Sequence, residues 1–441
     1  MRSPRRELEH GRVAGGDRLR YRARASRVSG TIRAPPSKSY THRAVILAAL
    51  SHGPCRVRRP LLSEDTAATI DGMVAFGAEI ERTADGLRVA SESLRPPGTR
   101  IDARNSGTTL RLLAGVAGLL EGSTTISGDA SLQKRPMGPL LEALTGLGAR
   151  ARSLSGDGRP PVEVEGVLRG GRVSLSGSMS SQFLSSLLIA CPLASNPSEI
   201  RVLPPRRSEP YVEVTRQVVR AFGVEVGVDE DTYLVPGGLA YHPTDVDVPG
   251  DFSSAAFPLV AAAITGGDVT VEGLDLRSPQ GDRRIAPLLT SFGARVDMAP
   301  DRVRVRSGPL IGQTVDVRDT PDLFPILAVL ATQAKGETHF VNGEHLRIKE
   351  SDRIASTVAM LRALGADAAP TADGCVVHGP ASLHGAFIDS RADHRILMAA
   401  AIAGLAADDS VDISDPWCFR VSYPSFLDDM RALGALHEVV G

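Results

Sequence analysis

A short signal, an aromatic residue or Leu followed by Gly and then Ala or Val, recurs six times along the chain, with its glycine at 77, 148, 223, 293, 365 and 434. The spacings are 71, 75, 70, 72 and 69 residues, each the length of one supersecondary unit. Glycine is what a helix C-terminus favours where the backbone turns left-handed. An amphipathic stretch precedes each copy; in 353–364, Ile354, Val358 and Leu361 share one face. Alternating residues follow in most copies, as in 78–89 and 294–305, with Asp85-Gly86 and Asp373-Gly374 as turn signals. A second series of helices, small or apolar on nearly every face, starts at Lys38, Thr108, Ser181, Ser253, Asp322 and His394, at spacings of 70, 73, 72, 69 and 72. Such a composition suits a helix enclosed by protein. Together the series predict an α/β fold of six βαβαββ units, each with one enclosed and one outer helix.

The ends of the chain close this pattern. The sixth unit stops after one strand, at 436–440, while a strand at 27–34 precedes the first, so the N-terminal strand is expected to complete the last unit. Residues 246–250 lead into Asp251-Phe252-Ser253-Ser254 as 32–36 lead into Ser37-Lys38-Ser39. The expected lobes are therefore 27–36 plus 249–441, and 37–248, with a hinge near 35–37 and 246–250 about which they close. The first 27 residues carry nine Arg and three acidic residues, a net +6 that the rest of the chain offsets with −7. Residues 1–26 read as a disordered Arg-rich extension or a misassigned start; contact with nucleic acid and a targeting role are the alternatives. On that reading, activity survives deletion of residues 2–25.

Composition narrows the class. A chain of 441 residues, 42% of them hydrophobic, can supply a core to each of two domains. The longest apolar segments, such as 44–50 and 398–405, have helix-core length, which leaves a membrane role without support. Cys55, Cys191, Cys375 and Cys418 lie far apart, so neither a zinc site nor a disulfide framework is suggested, and a cytoplasmic location fits. No Gly-rich loop ends in GKS or GKT, and no HxxE or HxH cluster occurs; nucleotide hydrolysis, metal catalysis and a bound cofactor find no signal.

Bases stand where helices begin. Lys38, Ser39 and Arg43 open the first enclosed helix; Asn105, Gly107, Thr108 and Arg111 open the second; Ser180, Ser181 and Gln182 the third; Asp322 the fifth; His394 and Arg395 the sixth. Outer helices open with Lys134-Arg135-Pro136, with Ser208-Glu209-Pro210-Tyr211, and with Lys349-Glu350-Ser351-Asp352-Arg353. Ordinary capping explains Ser, Thr and Asp at such places, and a plain N-cap is the favoured reading of Asp322. It does not explain cations, which oppose the helix dipole there unless an anion lies between them. Only four of the fifty basic residues are Lys, and three of these, Lys38, Lys134 and Lys349, fall in these segments. Point-like ammonium beside forked guanidinium suits a phosphate plus a carboxylate. Glu350, between cations, is either a capping carboxylate or a proton shuttle.

These segments, PSKSYTHRA, NSGTTLR, KRP, SSQF, SEPY, Asp322, RIKESDR and DHR in that order, resemble the 5-enolpyruvylshikimate-3-phosphate synthase family of enolpyruvyl transferases, over about residues 28–441. The resemblance implies a two-lobed inside-out α/β barrel with three units per lobe. It also implies transfer of the enolpyruvyl group of phosphoenolpyruvate to the 5-hydroxyl of shikimate 3-phosphate, by a monomer needing no metal or cofactor. By position it gives the shikimate 3-phosphate side to Lys38, Ser39, Arg43, Ser180, Ser181, Gln182, Ser208, Tyr211, Asp322, His345 and Lys349. It gives the phosphoenolpyruvate side to Lys38, Asn105, Gly107, Thr108, Arg135, Gln182, Arg353 and Arg395. Catalysis would fall to Lys38, Asp322, Lys349 and Glu350, with Asp322 at the 5-hydroxyl and Glu350 exchanging a proton with the methylene carbon. Gly107 beside phosphoenolpyruvate implies sensitivity to glyphosate.

Two positions depart from the family pattern. Val421 stands where a Lys is frequent, with Arg420 the candidate substitute, and His345 stands where Asn is frequent. Rivals are the sister enzyme acting on UDP-N-acetylglucosamine and a non-catalytic phosphate-ligand binder on this scaffold. The first places Asn after the early Lys and a catalytic Cys on a first-lobe loop, whereas Ser39 follows Lys38 here, and Cys55 and Cys191 lie outside any such loop.

Overall fold

The computed structural model describes residues 19–441. Among these, twelve α-helices and twenty-four strands form six four-stranded sheets. The second unit shows the plan: Ile101–Asp102, the Gly107–Ala117 helix, Ser123–Ser127, the Gly138–Gly146 helix, then the hairpin Arg150–Ser153 and Val162–Glu165. Its first two strands pair in parallel, as a helical crossover demands, and the hairpin joins antiparallel. The six repeated glycines all take positive φ, from 87° to 108°, at the ends of the outer helices, as their spacing predicts.

Two apolar cores form, one from residues 40–248 and one from residues 21–34 and 252–435. Three enclosed helices fill each: Lys38–Leu50, Gly107–Ala117 and Ser181–Ala190 in the first, Phe252–Ile264, Phe324–Ala331 and His394–Ala403 in the second. Small residues let them approach closely; a Cβ on Gly115 would lie 2.5 Å from Ser186 Oγ. The chain passes between cores twice, and the two crossings lie side by side. Ser37 N–H donates to Pro249 O and Asp251 N–H to Pro35 O, both at 2.8 Å. No described helix is long and apolar enough to cross a membrane.

The chain ends correct two expectations. Arg20–Arg24, inside the segment read as a disordered extension, is a strand between Val411–Ile413 and Leu436–Val440, and it completes the sixth sheet. Residues 1–18 lie outside the described residues. The strand near 27–34, Ser29–Arg33, pairs instead with Asp268–Glu272 in the fourth unit, while Val246–Asp247 pairs with Cys55–Arg58 in the first. Each crossing segment thus completes a sheet of the lobe that it leaves. Three arginines conceal an alternation in which Tyr21 and Ala23 point inward, both fully buried. Tyr21 shares a 2.8 Å hydrogen bond with His437 Nδ1, and Arg22 is bidentate to Asp412. A deletion through residue 25 therefore removes a central strand. Tyr21→Ala is expected to cost roughly 3–5 kcal/mol in urea unfolding; a cost under ~1 kcal/mol would contradict this placement.

Candidate functional site

Helix starts from both lobes converge on one cleft of about 920 Å³, open mouth included. From the first lobe come Lys38, Ser39 and Arg43, then Gly107, Thr108 and Arg111, then Ser180, Ser181 and Gln182, with Arg135, Ser208 and Tyr211 beside them; Asp322, Lys349, Glu350 and Arg353 face them from the second. These interior N-termini present free N–H groups to the same space. Ser106 and Asp393 cap two of the helices, and Ser180, itself in the cleft, caps a third by accepting from the Gln182 amide.

Of the candidates, Asn105, His345 and Arg395 do not line the cleft. Asn105 Oδ1 accepts from Arg135 Nη2 at 2.7 Å and so holds that guanidinium. Arg395 is buried with Nη2 3.3 Å from Asp322, and its Nε and Nη1 have no protein partner. His345 is buried with both ring nitrogens unpartnered; burial, then Lys349 and Arg207, push its pKa down to about 2. Arg420, the candidate substitute for the missing Lys, is exposed and stacks 4.2 Å from the Trp417 ring centroid, away from the cleft. Residues given no substrate or catalytic role from the sequence also line it: Arg111 and His394, which open enclosed helices, and Asp65, Met179, Pro321 and Ile348. Arg111 had a legible signal, a cation one turn beyond Gly107 as Arg43 is beyond Ser39.

Arg353 organises the second-lobe wall. Its side chain, 2% exposed, bonds Asp322 at 2.6 Å, Glu350 at 2.6 Å and Asp393 at 3.0 Å. Asp322 is therefore no cap: the helix behind it begins at Phe324, and its carboxylate turns to Arg353 and Arg395. Burial pushes the Asp322 carboxyl up, but Arg395, Arg353, Lys349 and Lys38 outweigh it and hold it well below the carboxylate range. Glu350 is balanced in the same way, by Arg353 and by Arg135 reaching 3.5 Å across from the other lobe. Both carboxylates are ionised at neutral pH.

First-lobe cations have weaker company. Lys38 pairs with Asp65 at 2.9 Å, but Arg43 bonds Thr215, Ser185 and two carbonyls, and Arg111 bonds Gln182 at 2.6 Å. Gln182 in turn donates to Thr108 at 2.9 Å. Burial lowers Arg43 to about 10 and Arg111, next to Arg135, to about 9. Burial also lowers Lys349 to about 8, although Asp322 pulls it back up. Buried cations with neutral partners are destabilised until an anion arrives, so this wall is built to take anionic ligands.

Two lobes of three units each, closing on a cation-lined cleft, define an enolpyruvyl transferase architecture. EPSP synthase from Acinetobacter baumannii superposes with a TM-score of 0.81 at 29% identity, covering 96% of this chain and 100% of that one. The enolpyruvyl transferase NikO from Streptomyces tendae shares the fold at a TM-score of 0.80 and 19% identity, over 96% and 99% of the chains. The chain belongs to the EPSP synthase (3-phosphoshikimate 1-carboxyvinyltransferase) family, whose model matches residues 23–430. Relatives named 3-phosphoshikimate 1-carboxyvinyltransferase include that of Methanocorpusculum labreanum, 48% identical over 413 residues, covering 93% of this chain and 97% of that one. That of Methanothrix thermoacetophila is 48% identical over 415 residues, with coverage of 93% and 97%.

A Cβ on Gly107 would lie 2.9 Å from Arg135 Nη1 and 3.1 Å from Arg111 Nη1. Gly107→Ala must therefore displace both guanidinium groups. Affinity for phosphoenolpyruvate is expected to fall about tenfold, ~1.4 kcal/mol, with the melting temperature little changed; unchanged affinity by calorimetric titration would contradict the assignment.

Proposed function

We propose that this chain transfers the enolpyruvyl group of phosphoenolpyruvate to the 5-hydroxyl of shikimate 3-phosphate, releasing phosphate, in the shikimate pathway to aromatic amino acids. The observation that carries this is the single cleft into which buried cations of both lobes project beside two ionised carboxylates. Family membership supports the same reaction. None of the four cysteines lines the cleft, which disfavours the UDP-N-acetylglucosamine reaction. In this reading the enzyme works as a cytoplasmic monomer, since one chain supplies the whole cleft and its cysteines are all free thiols.

The ring substrate lies on Ser39, Arg43, Ser180, Ser181, Gln182, Ser208 and Tyr211, with its 3-phosphate on the Ser180–Gln182 helix start. Phosphoenolpyruvate lies on Lys38, Gly107, Thr108, Arg135 and Arg353, with Arg395 behind Asp322 and Asn105 behind Arg135. His345 supports the Lys349 segment. Substrate charge draws Arg135 and Arg353 away from Glu350, so its pKa climbs toward a proton-carrying value. Glu350 then gives its proton to the methylene carbon of phosphoenolpyruvate while the 5-oxygen bonds to C2 and loses its proton to Asp322. The tetrahedral adduct collapses as Glu350 takes a proton back from the new methyl group, the C2–O bond to phosphate breaks, and phosphate leaves among Lys38, Arg135 and Lys349.

Purified protein mixed with both substrates is expected to release phosphate, and neither substrate alone to do so. Lys38→Ala is expected to lower kcat/KM on the order of 10²- to 10³-fold, and Glu350→Gln to lower kcat on the order of 10²- to 10⁴-fold. Wild type without phosphate release would refute the proposal and favour the non-catalytic binder. Lys349 is cationic below about pH 8 and loses its charge as pH rises through that value. The kcat/KM profile should fall on its alkaline side near pH 8, and Lys349→Arg should move that limb upward; an identical limb in the variant would assign it elsewhere.

A further inference from the structure

Asp282 lies in the short turn Gly281–Arg284 of the second lobe, with its side chain closed from solvent. Its Oδ2 accepts from the Tyr211 hydroxyl at 3.1 Å and from Ser253 Oγ. Tyr211 belongs to the first lobe and lines the cleft, whereas Ser253 opens the Phe252–Ile264 helix of the second. Asp282 Oδ1 has no partner, and neither oxygen bonds a Lys or Arg among the described residues.

The approach of the lobes here is close. A Cβ on Gly281 would stand 3.3 Å from Pro210 Cβ, next to Tyr211, and 2.4 Å from Asp319 O. Tyr40, a second first-lobe tyrosine, reaches Ser278 Oγ at 3.2 Å on the same stretch. The 278–282 segment is thus a docking edge beside the hinge, ending in a carboxyl that bonds no cation among the described residues.

We propose that Asp282 is a positioning residue that takes up a proton as the lobes close on substrate, so that seating Tyr211 against the cleft and closing the hinge share one buried carboxyl. In the open form Tyr211 withdraws, and the carboxyl is hydrated and ionises as an ordinary aspartate. In the closed form it faces the Tyr211 hydroxyl, Ser253 and Asp251 at the Phe252–Ile264 helix, Asp322 ahead of the Phe324–Ala331 helix, and Arg395 of the His394–Ala403 helix. Burial and Asp322 raise its pKa to about 7, against the opposing pull of Ser253 and Arg395. A carboxyl raised in the closed form favours closure at low pH. That advantage is lost as pH rises from the ordinary aspartate value of about 3.9 to about 7.

The inference rests on shikimate 3-phosphate as the ring substrate. Calorimetric titration of the full chain with shikimate 3-phosphate, in buffers of different ionisation heat, counts the protons taken up. At about pH 5.5 wild type is expected to take up close to one proton more per ligand than Asp282→Asn, and at about pH 8 the difference should vanish; the ligand's own titration cancels. Ser253→Ala, which removes a bond favouring the carboxylate, should extend the uptake to higher pH, and this arm stands if Asp282→Asn does not fold. Equal uptake in wild type and Asp282→Asn at about pH 5.5, or an unshifted profile in Ser253→Ala, overturns the inference. Absence of shikimate 3-phosphate binding by wild type would instead overturn the assigned reaction.

Discussion

Three carboxylates converge on Arg353, and much of the cleft depends on that arrangement. Asp393 caps the His394–Ala403 helix, Asp322 precedes the Phe324–Ala331 helix, and Glu350 precedes the Arg353–Ala363 helix. One guanidinium thereby ties three helix starts of the second lobe together. Enclosing four charges is costly, and removing one partner from such a cluster typically costs about 3–5 kcal/mol. The arrangement persists because each carboxylate also finds a second donor: Arg395 for Asp322, Arg135 for Glu350, and Ser351 and the Arg395 amide for Asp393.

The lobes contribute opposite things. The second supplies ionised carboxylates held in place by cations, the groups that proton transfer requires. The first supplies cations, two of which, Arg43 and Arg111, have only hydroxyl, carbonyl and amide partners, the groups that anion binding requires. Neither wall is complete alone, and the 3.5 Å approach of Arg135 to Glu350 is where they meet. Chemistry that needs charge neutralisation, alignment and a proton shuttle is served by bringing the two walls together.

Much of this was legible in the sequence, because its signals were local. Six left-handed glycines at helix ends gave the repeat, and small-residue helices opening with Ser, Lys or Arg gave the cleft wall. What stayed hidden was long-range or masked. Arg20–Arg24 looks like a charged tail because arginines occupy its outward positions, and only the partner strands reveal Tyr21 and Ala23 as core. Ser29–Arg33 carries no local mark of whether it joins the fourth or the sixth sheet, since pairing register is set in three dimensions. Asp322 reads as a cap until the helix is seen to start two residues later. Asp65 and Asp282 stand in unremarkable stretches, and their importance comes from what the other elements bring to them.

The most direct test of the central claim is a crystal structure of the full chain with shikimate 3-phosphate and an unreactive phosphoenolpyruvate analogue. Both phosphorylated ligands should lie in the one cleft, the ring phosphate within hydrogen-bond reach of Ser180 and Ser181, and the analogue against Lys38, Arg135 and Arg353. Ligands seated on separate outer faces, or touching only one lobe, would contradict the account.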